Sequence, residues 1–193
     1  MQLCAQTAAV GGRYKNYGIV PDEPKELKAV ISEALVECDV VLVSGGVSMG
    51  EFDFVPEVLK ENGVQIRFHK LAVKPGKPTL FGRKDETFVF GLPGNPVSTF
   101  VIFEVFVKTL LYRWMGINYD PVLIKARLSK AIKRRDSERL EFRLVKVAGG
   151  EIHPISYHGS SHLNALSQTN GLLRIERGVD FVEEGRELYV RQI

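Results

Sequence analysis

The sequence predicts an α/β domain with a mostly parallel sheet, followed by a small all-β domain. Helical and extended patterns alternate over residues 1–116, and this order predicts crossover connections between parallel strands. Over residues 117–193 the pattern changes to short strands separated by polar or glycine-containing turns. A chain of 193 residues is longer than one ordinary domain and shorter than two full ones, which also favours this division.

The first half begins with a helix, a strand and a second helix. Residues 24–36 place their apolar side chains on one helical face, and Pro24 suits the first turn of a helix. The β-branched run DVVLV, residues 39–43, predicts a strand that is buried on both faces. After a Ser-Gly-Gly turn, the apolar stripe in residues 54–59 predicts the next helix.

The first half continues with extended segments and a long helix. Residues 64–73 alternate between apolar and polar side chains and predict a strand that leads into the turn KPGKP. TLFGR and TFVFGL flank the polar turn RKDE and predict a β-hairpin, which makes the sheet mixed. A helix is predicted over residues 97–115, with Asn95 as N-cap, Pro96 at the first position and Gly116 at the end.

The second half is predicted to contain five short strands. Their sequences are VLIKARL, LEFRLVKV, EIHPI, GLLRIE and ELYVRQI. Between the first two lies the basic stretch KAIKRRDSER, residues 130–139. It contains acidic residues and no aromatic side chains that could stack on bases, so we interpret it as an exposed turn and expect no nucleic-acid partner.

The composition is that of an ordinary globular protein. It has 45% hydrophobic residues, 25% charged residues and a net charge of +3, which is too balanced to argue for a nucleic-acid partner. No apolar run reaches the length of a membrane span, and the N-terminus lacks the features of a signal peptide. We therefore expect a cytoplasmic protein with no membrane partner. Cys4 and Cys38 are expected to be buried thiols and not a disulfide.

Three loops follow predicted strands, at the sheet edge where open α/β sheets bind ligands. The first, SGGVSMGEFD, begins at Ser44 and contains Gly45, Gly46 and Ser48. A residue without a Cβ lets a ligand approach the backbone, so this loop can offer N–H groups and hydroxyls to an anion.

The other two loops add positive charge and rigidity. KPGKP contains Lys74 and Lys77, and Lys70 precedes them on what is predicted to be the same strand and the same face as Lys74. LPGNP stiffens a turn with Pro93 and opens the long helix at Asn95. Together the three loops predict a cationic, anion-binding rim that is neither a Walker A loop nor a dinucleotide fingerprint.

Each of these features also has a purely structural interpretation, which the residues alone leave open. Paired glycines after a strand often only make a tight turn, and lysines are usually solvated. Asp22 and Asp53 stand where they could cap the helices that follow them. The histidines, including His158 and His162, have no partners at the spacing of a structural zinc site, so no metal role is expected for them.

The stretches SGGVSMGEFDF, KLAVKPGKP and FGLPGNPVSTFVIFE, in this order and at these separations, resemble the molybdopterin molybdenumtransferase family. The family includes bacterial MoeA proteins and the E domain of gephyrin. The resemblance continues through YGIVPDEP upstream and YHGSSHLNAL downstream, so it covers nearly the whole chain. It implies that residues 1–116 form a molybdopterin-binding domain with a three-layer α/β/α fold and that residues 117–193 form a β-barrel-like domain.

Enzymes of this family insert molybdate into adenylylated molybdopterin with the help of Mg²⁺ and release AMP. The resemblance therefore implies molybdopterin, in its adenylylated form, and molybdate as substrates and Mg²⁺ as cofactor. By motif, it implies that Asp53, Lys70 and Lys74 act in catalysis and that Asp22 and Asp53 hold the metal. The residues implied for binding the pterin are Ser44, Gly45, Gly46, Ser48, Pro75, Gly76, Pro93, Gly94 and Asn95.

The resemblance also has gaps. Family members carry a strand that ends in a Thr-Gly-Asp-Glu turn before the first helix of this domain, and two N-terminal domains that help to complete the site across a homodimer. The sequence shows no counterpart, so residues 1–116 are expected to lack the first strand of the domain and the chain alone is not expected to be active. The alternative function is a non-catalytic molybdopterin-binding or scaffold module.

Overall fold

The computed structural model describes three stretches of the chain, residues 1–47, 53–156 and 164–193. The chain forms two compact units, which consist of Met1–Leu71 with Gly76–Gly116 and of Ala72–Pro75 with Ile117–Ile193. The second unit therefore includes a short segment that comes from the first half of the sequence.

The first half of the chain alternates between helices and strands in its described residues. In chain order these elements are α1 Gln2–Ala9, α2 Pro24–Glu37, β1 Val40–Ser44, α3 Val55–Glu61, β2 Gln65–Phe68, β3 Val73–Lys74, β4 Leu80–Lys84, β5 Thr87–Leu92, α4 Pro96–Ile102, a π-helical turn Phe103–Val107 and α5 Lys108–Trp114. Of these, β3 belongs to the second unit.

The strands β1, β5, β4 and β2 form the sheet of the first unit, in that order. β1 and β5 are parallel, with Leu42 opposite Phe90. The other two pairings, β5 with β4 and β4 with β2, are antiparallel. The predicted hairpin is confirmed, and the sheet is mixed rather than mostly parallel in its described residues. The reason is the tight turn at Asp85, because strands joined by two residues can pair only antiparallel.

Helices cover both faces of this sheet, which confirms the three-layer arrangement. On one face, α2 and α3 pack against Val41 and Val89. On the other face, Phe90 and Leu92 pack against Phe103 in the long helix. Neighbouring residues of a strand point to opposite faces, so Val89 and Phe90 belong to different hydrophobic cores.

The predicted long helix is confirmed as a continuous run of α4, the π-helical turn and α5. Its first residue is Pro96, and Asn95 is the N-cap. The Asn95 side-chain oxygen accepts hydrogen bonds from the backbone N–H groups of Val97, at 3.0 Å, and of Ser98, at 3.2 Å. The side chain thus satisfies two donors that have no partner inside the helix.

Asn95→Ala is expected to destabilise the first unit by about 1 kcal/mol, because both N–H groups lose their acceptor. Asn95→Ser is the matched control, since a serine hydroxyl can cap the same N–H groups and should recover most of the loss. Urea denaturation followed by the fluorescence of Trp114 measures the difference. Equal destabilisation by alanine and serine would contradict the capping role.

The prediction of one strand over residues 64–73 is wrong, because the observed strand β2 is shorter. β2 covers only Gln65–Phe68 and pairs with β4, whereas β3 belongs to the second unit. Lys70 lies between them, outside any strand. The alternation of apolar and polar side chains in fact stops at Lys70, which follows the polar His69, and this interruption marks the end of β2.

The second unit is built mainly from strands. Its further described elements are β6 Leu123–Leu128, β7 Ile132–Lys133, β8 Leu140–Ala148, β9 Glu151–Pro154, α6 Asn164–Ser167, β10 Gly171–Ile175, β11 Phe181–Val182 and β12 Glu187–Gln192. All five predicted strands are present in this set.

Five of these strands close into a barrel. The order is β10, β12, β6, β9 and β8, and the pairing of β8 with β10 closes the ring. Leu144, Ile152, Leu173 and Val190 are completely buried. The β-barrel-like domain implied by the resemblance is confirmed.

The stretch at residues 130–139 is not the exposed turn that we predicted. The side chain of Arg134 has 0% exposed surface, and its Nε donates to a carboxylate oxygen of Glu141 at 2.9 Å. Its Nη1 donates to the backbone carbonyls of Glu176, at 2.8 Å, and Val179, at 2.7 Å. A guanidinium with so many acceptors can be buried, which a count of basic residues cannot reveal.

Two expectations from composition can be compared with the described residues. Cys4 and Cys38 are free thiols, but both are half-buried and not buried as predicted. None of the described helices has the length and apolar character needed to cross a membrane.

Candidate functional site

A cavity of about 1010 Å³ lies within the first unit. Pockets for small molecules and cofactors commonly reach up to about 1,000 Å³. Four of the residues predicted for the site line this cavity: Asp22, Ser44, Gly45 and Gly46. The structure thus brings the beginning of the glycine loop together with one of the two predicted metal-binding acids.

The two glycines in the turn at the end of β1 are required first by the backbone conformation of the turn. Gly45 and Gly46 have φ values of +92° and +63°, which other residues rarely adopt. A Cβ on Gly46 would also lie 2.8 Å from Cγ2 of Val55. A Cβ on Gly45 would meet nothing within 4 Å, so open space remains for a ligand there.

One proposed donor of this turn is already in use. The N–H of Gly45 donates to the backbone carbonyl of Leu92 at 3.0 Å. We predicted this N–H as a donor to an anion, and that detail is wrong because the turn extends the parallel pairing of β1 with β5 by one residue. Ser48 lies outside the described residues.

The LPGNP turn lies beside the glycine turn. A Cβ on Gly94 would lie 3.6 Å from Cα of Gly45, so the two backbones are neighbours. Pro93 is buried, and its carbonyl accepts a hydrogen bond from the hydroxyl of Thr99. Because β1 and β5 are parallel, their carboxyl ends bring both turns to the same edge of the sheet.

The two predicted metal-binding acids occupy similar places before helices. Asp22 is exposed and precedes Glu23, which is the N-cap of α2 and makes no side-chain capping bond. Asp53 is half-buried and precedes Phe54, the N-cap of α3. The described residues contain no group of three or more His, Cys, Asp or Glu side chains that could hold a metal ion. His158 and His162 lie outside the described residues.

The predicted lysines belong to different units of the chain. Lys70 is exposed in the loop after β2, in the first unit. Lys74 and Pro75 belong to the second unit, where Lys74 Nζ lies 3.9 Å from a carboxylate oxygen of Glu141. The prediction that Lys70 and Lys74 share one strand and one face is therefore wrong. Lys77 is exposed in the turn that follows.

Gly76 is needed for packing within the first unit. Its φ is +116°, and a Cβ would lie 2.3 Å from Cδ1 of Ile102. The hydroxyl of Thr79 donates to its carbonyl at 2.7 Å. These contacts explain the glycine without a ligand.

His69 is a residue near the site that sequence reasoning missed. Its Nε2 lies 3.0 Å from the carbonyl oxygen of Val47, the fourth residue of the glycine loop. Val47 is 2% exposed and His69 is half-buried, so the imidazole contacts the loop from its partly exposed side. Its place directly after β2 offered no sequence signal, because the contact spans 22 residues.

Charged and phenolic side chains line another part of the cavity. Lys15 donates to the carboxylate of Glu37, and this hydrogen bond is the main reason that the pKa of Lys15 is raised and that of Glu37 is lowered. Burial, followed by a hydrogen bond to Glu37, raises the pKa of Tyr17. These groups remain protonated lysine, ionised carboxylate and neutral phenol near neutral pH, so this wall presents little net charge.

Models of two protein families match the chain. The family described as probable molybdopterin binding domain matches residues 2–113. The family described as MoeA C-terminal region (domain IV) matches residues 125–193.

Among curated relatives, the molybdopterin molybdenumtransferase of Haemophilus influenzae is 32% identical over 179 residues, which are 90% of this chain and 44% of that protein. The Bacillus subtilis protein of the same name is 31% identical over 191 residues, which are 96% of this chain and 44% of that protein. The chain therefore spans less than half the length of these relatives.

Solved structures are similar over nearly the whole chain. The molybdopterin biosynthesis MoeA protein from Pyrococcus horikosii has a TM-score of 0.85 and 33% identity, covering 98% of this chain and 46% of that protein. A molybdenum cofactor biosynthesis protein from Pyrococcus furiosus has a TM-score of 0.82 and 29% identity, covering 99% of this chain and 62% of that protein.

Proposed function

The chain belongs to the family of probable molybdopterin-binding domains, and from that premise we propose that it is part of a molybdopterin molybdenumtransferase. Such an enzyme inserts molybdate into adenylylated molybdopterin and releases AMP. The observation that carries the proposal is the meeting of the glycine turn with the LPGNP turn, where Gly94 approaches Gly45. The glycine turn lines the cavity, at the edge of the sheet where ligands of α/β proteins bind.

The glycine turn is proposed to hold the phosphate groups of the pterin. Ser44 is exposed at the end of β1 and offers a hydroxyl, and Gly45 leaves open space in front of its backbone. Since the N–H of Gly45 is taken by Leu92, the backbone donors are proposed to begin at Gly46. Pro93, Gly94 and Asn95 would then shape the neighbouring wall and would not react.

Asp22 and Asp53 are proposed to hold Mg²⁺ together with the phosphates of the substrate. The described residues offer no cluster that could hold the ion alone, and Mg²⁺ commonly binds through one or two carboxylates plus substrate phosphates. The ion would neutralise charge on the phosphate that is cleaved. Two carboxylates beside a bound phosphate would otherwise be repelled by it, which favours this assignment over direct phosphate contacts.

Lys70 and Lys74 are proposed to attract molybdate, with Pro75 and Gly76 shaping the turn between Lys74 and Lys77. The ammonium groups would also stabilise negative charge that develops on the phosphate. The resemblance extends the proposal to a cytoplasmic homodimer. A non-catalytic molybdopterin-binding module is the alternative outcome, and it predicts binding without release of AMP.

Gly45→Ala is expected to weaken the binding of molybdopterin at least tenfold, because the new methyl group fills the open space and strains a backbone with φ +92°. Gly63→Ala is the matched control. Its φ is +83°, its Cβ would make only an ordinary contact at 3.6 Å, and Gly63 does not line the cavity. Both variants should lose similar stability, on the order of 1–2 kcal/mol.

Calorimetric titration of both variants with molybdopterin separates strain from ligand contact. If Gly45→Ala and Gly63→Ala bind the pterin equally well, the glycine turn is not the phosphate site and this part of the proposal is wrong.

A further inference from the structure

The second unit contains a carboxylate that is shared by three cations. One oxygen of Glu141 accepts from Arg134 Nε at 2.9 Å, and the other accepts from Arg143 Nε at 2.8 Å. Lys74 Nζ lies 3.9 Å from the first of these oxygens. The Glu141 side chain is only 6% exposed, so its interactions with these cations are weakly screened by water.

We propose that Glu141 is a positioning residue that holds the Lys74 ammonium in place for an oxyanion. The inference rests on the proposed function, which assigns Lys74 to molybdate. Nothing in the motifs of the sequence points to Glu141, because its role depends on a contact between residues 74 and 141.

The backbone brings the two side chains together. In the parallel pairing of β3 with β8, Lys74 is opposite Glu141 and Val73 is opposite Leu140. The N–H of Leu140 donates to the carbonyl of Ala72 at 2.9 Å, which continues the pairing. This pairing sets where the Lys74 backbone lies but leaves its long side chain many rotamers, so a fixed counter-ion is needed to hold the ammonium.

The three cations differ in access to solvent. The side chain of Arg134 has 0% exposed surface, whereas that of Lys74 is 39% exposed. Glu141 itself is immobilised by Arg134 and Arg143, and therefore acts as a rigid anchor on the inner side of Lys74. The exposed part of the Lys74 side chain can thus bind an oxyanion that arrives from solvent. The buried Glu141 carboxylate determines where its ammonium group lies.

Charge alone predicts the opposite effect from positioning. Lys74, Arg134 and Arg143 with Glu141 carry a net charge of +2, and the ion pair of Asp136 with Arg139 nearby adds none. Removing the Glu141 charge raises this net charge, so a diffuse electrostatic field would bind an oxyanion more tightly. If Glu141 positions Lys74, the same change weakens binding.

The test compares the chain with its Glu141→Gln, Lys74→Ala and doubly substituted variants in calorimetric titrations with sodium molybdate. Glu141→Gln is expected to weaken molybdate binding about tenfold, the effect expected when the Lys74 ammonium loses its ion-pair partner and no longer places one hydrogen bond on the molybdate. In the Lys74→Ala background the same substitution should cause no further loss, because Glu141 acts through Lys74.

A second measurement needs no ligand. The rate at which acetic anhydride modifies Lys74, followed by mass spectrometry, should rise in Glu141→Gln while the rate at exposed Lys77 stays unchanged. Tighter or unchanged molybdate binding together with an unchanged rate at Lys74 would overturn the proposal. If Glu141→Gln does not fold, Glu141→Asp is used instead, because it keeps a carboxylate for both arginines. It should also weaken molybdate binding and speed the modification of Lys74, but by smaller factors.

The two measurements also separate this inference from the proposed function. If the unsubstituted chain does not bind molybdate but Lys74 still reacts faster in Glu141→Gln, the molybdate assignment fails and the positioning of Lys74 stands. If the chain binds molybdate and Glu141→Gln lowers the affinity equally with and without Lys74, positioning through Lys74 is wrong.

Discussion

Arg134→Met lowers the free energy of opening the β-barrel by about 3–5 kcal/mol, the range expected when one partner of a buried ion pair is removed. Methionine fills a similar volume but donates no hydrogen bond. The carboxylate of Glu141 then loses a partner at 2.9 Å, and the carbonyls of Glu176 and Val179 lose their donor. The Glu141 carboxylate, whose side chain is 6% exposed, is then left without this bond in a place that water reaches poorly.

Hydrogen exchange of the backbone N–H groups in β8 and β10 measures this change within the second unit alone. Arg135→Met is the matched control, since Arg135 is the next residue and is exposed. The variant Arg134→Met/Glu141→Gln should cost less than the sum of the two single substitutions, because the unpaired charge is removed with its partner. Equal exchange rates in Arg134→Met and Arg135→Met would show that the buried ion pair contributes nothing.

Asp53→Asn is expected to lower Mg²⁺-dependent release of AMP by a factor of about 100 or more in the full-length protein, because a neutral amide is a poor ligand for Mg²⁺. The substitution removes the charge and keeps the shape of the side chain, and Phe54 rather than Asp53 is the N-cap of α3. The thermal stability should therefore stay nearly unchanged. Raising the Mg²⁺ concentration should restore part of the rate.

Glu57→Gln is the control for this experiment, because Glu57 is an exposed carboxylate in the first turn of α3. It removes the same charge close to Asp53 without touching the proposed metal site. If Asp53→Asn releases AMP at the rate of Glu57→Gln, Asp53 does not hold the metal. A loss of stability with full activity would instead assign Asp53 to the structure of the α3 N-terminus.

Local patterns in the sequence predicted the elements that depend on neighbouring residues. The helix α2 begins at Pro24 as expected, and Asn95 caps α4 with the bonds that its side chain allows. The hairpin around Asp85 formed where two alternating segments flank a polar turn. In each case the determining interaction spans only a few residues, so the sequence is sufficient.

Patterns failed where the determining contact lies far away in the chain. The alternation in residues 64–73 predicted one strand, yet β3 belongs to the second unit and pairs there with β8. The same pattern is compatible with either partner, because alternation specifies which face a side chain occupies and not which strand it pairs with. This one pairing makes Lys74 part of the second unit, beside Glu141, whereas Lys70 belongs to the first.

Side-chain period, caps and backbone preference were sufficient to predict the α/β and β-rich parts of the chain, the helix ends and the positions of the glycine and LPGNP turns. Only the tertiary structure decided that the N–H of Gly45 is taken by Leu92 and that Arg134 is buried against Glu141. Both depend on which groups meet across the fold. Whether a donor is available to a ligand depends on the acceptors that the fold already gives it. Whether a charge can be buried depends on the partners that the fold places around it.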